Sequence, residues 1–360
     1  MTMITNNDAE LAEQDALAEF LVGELGSDVA GASLTVRRHD GGHSNETLFV
    51  DVAERELVVR RPPPGETADS GHDVLREARI MRALADADVP VPSVVATCDD
   101  ESVLGCDFFV MERVDGVVAG GNEPPGFADP SARRTVGERM VDTLVEIHAV
   151  DIESVGLSDI GRPDGYLSRQ VDIFRTQLSE WLLPVTTEQR PVPGVEEVGT
   201  WLASNVPEES DGGLVHGDYK LDNLMFDTPG APSIVGVFDW EMSTLGDPLA
   251  DLGWMLFFWH DTDGPFSGIP AEIAPTFTAR EGYPTRREFV DRYEERTGRE
   301  YSNDRFYRAL AAFKLATAFE AMYLRHLSGE SSDPMYPELE TSVPALVTKA
   351  KRIIDGERPL

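Results

Sequence analysis

The order of strand-like and helical segments predicts an α+β fold in two parts. Strand patterns dominate the first part, helical patterns dominate the second, and one apolar hairpin, Leu224–Phe226 with Ile234–Phe238, interrupts the helices. Short strands joined by glycine-bearing turns favour an antiparallel sheet. We therefore predict a small N-terminal lobe over residues 1–114, with an antiparallel sheet and one helix. A larger, mainly helical C-terminal lobe is expected over residues 115–360.

The N-terminal segments set out the predicted sheet in order. A packing helix, Asp8–Leu25, precedes strands Ser33–Arg38 and Glu46–Val52, which flank the glycine-bearing turn His39–Asn45. Such a turn could hold phosphates on its backbone amides, or it could be an ordinary hairpin turn. The remaining predicted elements of this part are strand Leu57–Arg60, helix Asp73–Leu84, and strands Val94–Thr97 and Phe108–Glu112.

The residues after Glu112 break the strand pattern, which predicts a hinge between the lobes. Beyond it, the periodicity of apolar residues indicates a series of helices. The predicted helices are Pro130–Val150, Val171–Leu183, Val195–Ser204, Pro248–Trp259, Arg286–Thr297 and Arg305–His326.

The net charge of the chain restricts the classes of partner that it can bind and indicates the type of organism that it comes from. Lys and Arg total 31 against 65 Asp and Glu, a formal net charge of −34 over 360 residues, and only four residues are Lys. Because the acids are spread along the whole chain, they suit a cytoplasm of very high salt, and we expect an extremely halophilic source. The same charge argues against nucleic acid or an anionic membrane as a partner.

Neither the cysteines nor the N-terminus indicates export. Cys98 and Cys106 have no metal-like spacing with His, so free cytoplasmic thiols are expected, although a disulfide stays open. The first residues lack a signal-peptide pattern, and no apolar run approaches a membrane span. We expect a cytoplasmic protein.

The predicted hairpin carries the polar residues of a phosphoryl-transfer site. His216-Gly217-Asp218 and Asn223 precede it, and Asp239-Trp240-Glu241 follow its second strand. One carboxylate can orient a substrate hydroxyl and accept its proton, while an amide and another carboxylate hold magnesium on the ATP phosphates. The spacing is that of the protein-kinase catalytic loop with Gly in place of Arg.

These residues resemble the aminoglycoside phosphotransferase and choline kinase-like family of small-molecule kinases, and the resemblance covers nearly all of the chain after residue 30. It implies a two-lobed, protein kinase-like fold and ATP-dependent phosphorylation of a hydroxyl group, with GTP as a possible donor. In that layout Asp218 is the catalytic base, His216 supports the loop, and Lys220 contacts the transferring phosphate or merely flanks the loop. Asn223 and Asp239 would bind Mg²⁺.

The resemblance also implies a nucleotide site. The turn residues expected over the phosphates are Gly41, Gly42, Ser44 and Asn45. Because no Lys precedes Lys220, an Arg must hold the phosphates in this part of the chain, and Arg60 matches the family position better than Arg61. Glu77 is expected to pair with Arg60. A solvated Arg60, and a Glu77 paired with Arg76 or Arg79, are the alternatives.

The adenine would meet the backbone of Glu112 and Val114, with Met111 behind it, unless this hinge is a linker with no role in binding. Asp251 is expected to bond to backbone amides of the catalytic loop. His148 is expected to be a packing histidine at a helix end rather than a ligand.

The sequences VGLSDIGRPDGYLSRQ, from Val155, and STLGDPLADL, from Ser243, resemble the branch that contains the kinase-like domain of acyl-CoA dehydrogenase fusion proteins. That branch favours a hydroxylated metabolite or hydroxyacyl-CoA over an aminoglycoside as acceptor. The residues that could line an acceptor pocket are Arg162, Tyr166, Arg169, Gln170, Lys314 and Arg325. Pairing of Lys314 with Glu320 or a nearby acid is the simpler expectation. The acceptor and the oligomeric state stay open.

Two other classes of protein fit part of the pattern. A catalytically idle nucleotide-binding regulator would share the fold, and nucleotide binding without hydrolysis would indicate it. A metal-dependent phosphoester hydrolase could use His216, Asp218 and Asp239 directly, but it would leave the glycine turn, Arg60 and Glu77 without a purpose.

Overall fold

The computed structural model describes residues 6–39, 45–63, 73–186, 190–208, 211–260, 269–270, 275–331, 333–358 and 360. The chain divides into two compact units. The smaller unit is Met1–Asp115 with Gly236–Glu241, and the larger unit is Gly116–Val235 with Met242–Leu360.

The smaller unit is built on five strands. Its elements in chain order are α1 (Asn6–Leu25), β1 (Leu34–Arg38), β2 (Glu46–Val52), β3 (Arg55–Arg61), α2 (Val74–Leu84), β4 (Val94–Cys98), α3 (Glu101–Leu104) and β5 (Phe108–Glu112). The strand order is β1-β2-β3-β5-β4, and each neighbouring pair is antiparallel. The prediction of an antiparallel sheet is therefore confirmed.

The core of this unit forms on one side of the sheet, where α1 covers it. Leu17 and Leu21 of α1 pack with Val50 of β2 and with Leu57 and Val59 of β3, all of them buried. Because side chains alternate along a strand, this leaves Arg60 and Arg61 at the end of β3 on opposite faces. Helix α2 begins with the kind of N-cap that helices favour. The Asp73 side chain accepts a hydrogen bond from the Arg76 backbone amide.

The larger unit is mainly helical. Its elements in chain order are β6 (Val117–Val118), α4 (Pro130–His148), α5 (Tyr166–Thr176), α6 (Leu183–Thr186), α7 (Val195–Ser204), β7 (Gly213–Val215), β8 (Leu224–Asp227), β9 (Ser233–Val237), β10 (Thr244–Gly246), α8 (Leu249–Phe258), α9 (Arg286–Thr297), α10 (Asp304–Leu327) and α11 (Leu339–Ile354). A π-helical turn, Gln177–Leu182, joins α5 to α6. The last two residues of β9 already count with the smaller unit.

Two small sheets hold the catalytic segment in place. One pairs β7 with β10 in antiparallel register, and the other has the order β6-β8-β9. The long helix α10 packs against α8 and α11, and α8 is buried over nearly its whole length. No helix within the described ranges is long and apolar enough to cross a membrane. Cys98 and Cys106 are both free thiols.

Candidate active site

The catalytic loop follows directly from strand β7 and is fixed by one buried carboxylate. Asp251, in the first turn of α8, is 1% exposed. It accepts hydrogen bonds from the backbone N–H groups of His216 (2.6 Å) and Gly217 (2.8 Å). This is the contact that the sequence predicted. Burial raises the pKa of the Asp251 carboxyl, but the contact with His148 and the hydrogen bond from the Gly217 amide outweigh burial and hold that pKa below its usual value.

The backbone conformation and close surroundings of Gly217 explain why this loop has glycine where the protein-kinase pattern has arginine. Its φ is +85°, in the left-handed region, and a Cβ there would lie 2.7 Å from the Met242 carbonyl oxygen. A side chain would therefore meet both backbone strain and a fixed backbone atom.

Asp218 is held by donors on both of its oxygens. The indole Nε1 of Trp254 donates to Oδ1 at 2.9 Å, and the Asn223 amide nitrogen donates to Oδ2 at 2.8 Å. The Lys220 ammonium lies 3.3 Å from Oδ2 and 2.7 Å from Asp222. The Asp218 carboxylate is partly exposed, with 17% of its side chain accessible. It is thus both oriented and reachable, as a base that accepts a proton must be.

His216 points into the protein. It is fully buried, its Nδ1 accepts the Asp218 backbone N–H at 3.2 Å, and its ring packs edge-on against Tyr219. This geometry supports the loop from behind and gives His216 no access to a substrate.

Asn223 and Asp239, the two residues predicted to bind Mg²⁺, each carry an oxygen that suits a hard cation. The Asn223 amide nitrogen is engaged with Asp218, so its carbonyl oxygen is the atom left for a metal. Asp239 has a φ of +68°, and only one of its oxygens, Oδ1, bonds to Arg60. Carboxylate and amide oxygens are the ligands that Mg²⁺ takes in proteins, so the donor set fits the predicted ion.

In the smaller unit, Arg60 is surrounded by carboxylates. Its Nε donates to Glu77 at 2.8 Å, which is the predicted pair, and its Nη2 donates to Asp239 at 2.7 Å. Burial lowers the pKa of the Arg60 guanidinium, but Glu77, Asp239 and Glu241 outweigh it and raise that pKa above its usual value. Burial also raises the pKa of Glu77, against the effect of Arg60. Arg60 is therefore a fixed cation beside a predicted metal ligand.

Arg61 faces a different set of partners. It bonds to Glu46 at 3.0 Å and approaches Glu13 at 3.3 Å. Arg60 and Arg61 therefore point to opposite faces of the sheet, as alternation along a strand requires.

The structure describes some of the residues that were predicted to bind the nucleotide and leaves out others. Asn45 donates from its amide to Glu241 at 3.1 Å, which ties the end of the turn to the Asp239 segment. Gly41, Gly42 and Ser44 lie outside the described residues. Met111 is buried in β5, and Val114 is partly exposed. The Glu112 backbone amide donates to the Ser93 carbonyl, and the Glu112 side chain pairs with Arg55. The backbone groups predicted to bond to the adenine edge are therefore the Glu112 carbonyl and the Val114 amide.

The acceptor-pocket candidates divide into two groups. Tyr166, Gln170 and Lys314 line one small cavity beside the catalytic loop. Arg169 instead donates to the backbone carbonyls of Arg162 and Asp164, so its guanidinium stabilises the turn that precedes α5. Arg162 and Arg325 are exposed.

The expected pairing of Lys314 with Glu320 is wrong. Glu320 is fully buried and bonds instead to Arg190 at 2.6 Å and to the Thr186 hydroxyl. Sequence reasoning also missed Trp254. It lies within the predicted helix Pro248–Trp259, where an indole is expected to be part of the apolar core.

The sequence of this chain is similar to those of a known family of proteins. The phosphotransferase enzyme family matches residues 35–307. Acyl-CoA dehydrogenase family member 10 of Mus musculus is 35% identical over 89% of this chain, and member 11 of Rattus norvegicus is 33% identical over 84%. The matches span only 29% and 38% of those relatives' own lengths.

Solved structures agree on the fold. A Ralstonia eutropha crystal structure described as a "putative aminoglycoside phosphotransferase" has a TM-score of 0.76 and 30% identity, covering 95% of this chain and 98% of its own. Two more distant structures show the fold alone. They are a GDP complex of an aminoglycoside 2'-phosphotransferase (TM-score 0.61, 13% identity) and a thermostable aminoglycoside phosphotransferase mutant with AMP-PNP and hygromycin B (TM-score 0.57, 17% identity).

An antiparallel sheet before a helical region, a kinase-type loop held by Asp251, and a family match over residues 35–307 all agree. The chain belongs to the phosphotransferase enzyme family and is a small-molecule phosphotransferase with the protein kinase-like α+β fold.

Proposed function

We propose that this enzyme transfers the γ-phosphoryl group of ATP to a hydroxyl group of a small cytoplasmic metabolite or hydroxyacyl-CoA. The observation that carries the proposal is the state of Asp218. Trp254 and Asn223 fix both of its oxygens, and the carboxylate stays accessible at the end of a loop with kinase spacing. Such a carboxylate can orient an incoming hydroxyl and take its proton during in-line transfer.

The residues around Asp218 take the supporting roles. His216 and Asp251 hold the loop backbone, so the base keeps one orientation. Lys220, close to Asp218, is placed to contact the transferring phosphate. Asn223 and Asp239 would hold Mg²⁺ by their oxygens. Bound magnesium supplies positive charge to the phosphate oxygens during transfer.

The nucleotide is assigned to residues of the smaller unit. Arg60, oriented by Glu77, would hold the phosphates, and Gly41, Gly42, Ser44 and Asn45 would cover them. Met111, Glu112 and Val114 would receive the base. Structures of this fold hold GDP or AMP-PNP, which supports a nucleotide donor and leaves GTP as the alternative to ATP.

Similarity to the acyl-CoA dehydrogenase family members supports a metabolite or hydroxyacyl-CoA as acceptor over an aminoglycoside. A metal-dependent hydrolase is disfavoured, because His216 is buried behind the loop and engaged with the Asp218 amide. An idle regulator is disfavoured by the complete set of Asp218, Asn223 and Asp239.

The test is nucleotide turnover in molar KCl with a panel of hydroxylated acceptors. Asp218→Asn keeps the shape but removes the proton acceptor, so we expect turnover to fall by about 100- to 10,000-fold with nucleotide binding retained. The control is Asp227→Asn, an exposed acid at the end of β8, which should leave turnover unchanged. Unchanged turnover in Asp218→Asn would refute the assignment of the base.

A further inference from the structure

Lys314 is a cation on helix α10 that reaches the catalytic loop. It is one of four lysines in the chain. Its ammonium donates to the backbone carbonyl of Gly217, the residue before Asp218, and lies 4.2 Å from the ring centroid of Trp254. Trp254 in turn donates to Asp218. One indole ring therefore separates this cation from the proposed base.

The charge of Lys314 has no ion-pair partner within the part of the chain that the structure describes. Its contacts there are a carbonyl and an aromatic face. Burial lowers the pKa of its ammonium, and the more distant Asp218 and Asp251 only partly offset that effect. Because removing a cation even partly from water without a carboxylate partner costs free energy, this charge is better explained by an anionic ligand than by a contribution to stability.

The ammonium faces a cavity of about 30 Å³. Its lining includes Tyr166, Gln170, Gly217, Asp251, Trp254 and Lys314. Lys314 is only partly buried, so solvent reaches it. A volume of this size holds one or two water-sized groups, which suits a single oxygen-bearing substituent such as a carboxylate and excludes a sugar ring.

Asp251 lines this cavity, and Asp218 directly follows the lining residue Gly217. Both acids already accept hydrogen bonds, whereas the Lys314 ammonium has donors that are not used within the described ranges. Asp251 accepts from two backbone amides and contacts His148, and Asp218 accepts from Trp254 and Asn223. An ammonium has three N–H donors, and only one is used on Gly217. The cavity therefore offers hydrogen-bond donors to an anion rather than acceptors to a cation.

We propose that Lys314 determines acceptor specificity by binding a carboxylate of the acceptor next to the hydroxyl that is phosphorylated. The acceptors would then be free hydroxy acids rather than hydroxyacyl-CoA thioesters, whose acyl carbonyl is uncharged, and cationic amino alcohols and aminoglycosides would be disfavoured. This inference rests on the proposed kinase function. In the step itself the acceptor oxygen bonds to the γ-phosphorus, the bond to the β–γ bridging oxygen breaks, ADP leaves, and the hydroxyl proton passes to Asp218. Lys314 exchanges no proton.

The test compares matched acids and amides as acceptors. The panel is 2-, 3- and 4-hydroxybutyrate with the three corresponding hydroxybutyramides, assayed for ADP formation in molar KCl. For the best acid we expect kcat/KM to exceed that of its amide by about 10- to 100-fold, the range for a hydrogen bond to a charged group. Lys314→Met should abolish this ratio, acting mainly on the acid, and Lys314→Arg should keep part of it.

The matched control is Lys349→Met. Lys349 is a second lysine over an aromatic ring, 4.4 Å from the Phe257 centroid, and its loss should leave the acid-to-amide ratio unchanged. A wild-type enzyme that treats every acid like its amide, including no rate above background for either, overturns the inference whether or not the variants fold. So does a Lys314→Met variant that slows acids and amides equally, because that effect is purely structural. Absence of any Asp218-dependent nucleotide turnover would instead overturn the kinase function itself.

Discussion

At the scale of single residues, His148 links the catalytic loop to the core. It lies at the end of α4, where its Nδ1 is 2.8 Å from the Tyr293 hydroxyl and its Nε2 is 3.4 Å from Asp251. Burial lowers the pKa of its imidazole, although Asp251 acts in the opposite direction. His148 is therefore a neutral packing histidine, as its position at a helix end suggested.

This state predicts acid sensitivity. Below the ordinary histidine pKa of about 6.5 the unfolded chain binds a proton at His148 and the folded chain does not, so stability falls as pH decreases. We expect this residue to contribute a loss of about 1.4 kcal/mol per pH unit below about pH 6. Urea unfolding of the wild type and of His148→Gln between pH 5 and 8 gives the free energy of unfolding at each pH. The contribution of His148 is the difference between the slopes of the two curves against pH. Equal slopes would contradict the prediction.

The same neighbourhood shows what sequence can and cannot predict about a site. Asp218, Asn223 and Asp239 are candidates from the sequence alone because their spacing matches a reaction that needs those groups, and their roles stay predictions. The Trp254 bond to Asp218 was not, because an indole in an apolar helix looks like core. The partner of Lys314 was mispredicted for a similar reason: Glu320 lies nearby on the helix but turns to Arg190.

At the scale of elements, α10 carries a buried ion pair that stabilises the larger unit. Glu320 bonds to Arg190 at 2.6 Å, and the Arg190 guanidinium lies 4.6 Å from the Tyr323 ring centroid. Arg190 and Glu320 are 8% and 0% exposed. Neither residue belongs to the proposed site.

Removing one partner should therefore be costly. Glu320→Ala leaves the Arg190 charge buried and unpaired, and we expect a loss of about 3–5 kcal/mol in the free energy of unfolding. The control is Glu357→Ala, which breaks the exposed Arg352–Glu357 pair and should cost less than about 1 kcal/mol. Urea unfolding in molar KCl gives both values. A similar small loss in both variants would show that the buried pair contributes little.

Elements were predictable where periodicity is regular. Strands β2 and β5 and helices α7 and α9 have the predicted bounds, because their apolar spacing is clear. The π-helical turn Gln177–Leu182 could not be predicted, since its wider turn has no signature in an α-helical pattern. Helix α11 was missed because Pro344 lies inside it, and proline normally ends a helix.

At the scale of the whole molecule, the charge of −34 is the dominant physical constraint. Mutual repulsion of the excess carboxylates disfavours the compact state unless salt screens it. The fold class followed from element order alone. The contact of Gly236–Glu241 with the early sheet did not, because no sequence pattern joins segments so far apart.

We therefore predict that stability increases steeply with salt. Thermal unfolding measured from low to molar KCl should show the midpoint rising over the whole range, since each increment screens more of the repulsion. The same series in NaCl is the control for a specific effect of potassium. Full stability at low salt would contradict the halophilic interpretation.

The most direct test of the central claim is a thermal-shift assay in molar KCl with ATP, GTP or neither, each with and without Mg²⁺. A competent kinase site predicts a rise in the unfolding midpoint with one nucleotide that requires Mg²⁺. Binding at about 100 times Kd stabilises by about 2.7 kcal/mol. Asp239→Ala should lose the magnesium-dependent part of the rise. No rise with either nucleotide would contradict the account and favour a degenerate site or a hydrolase.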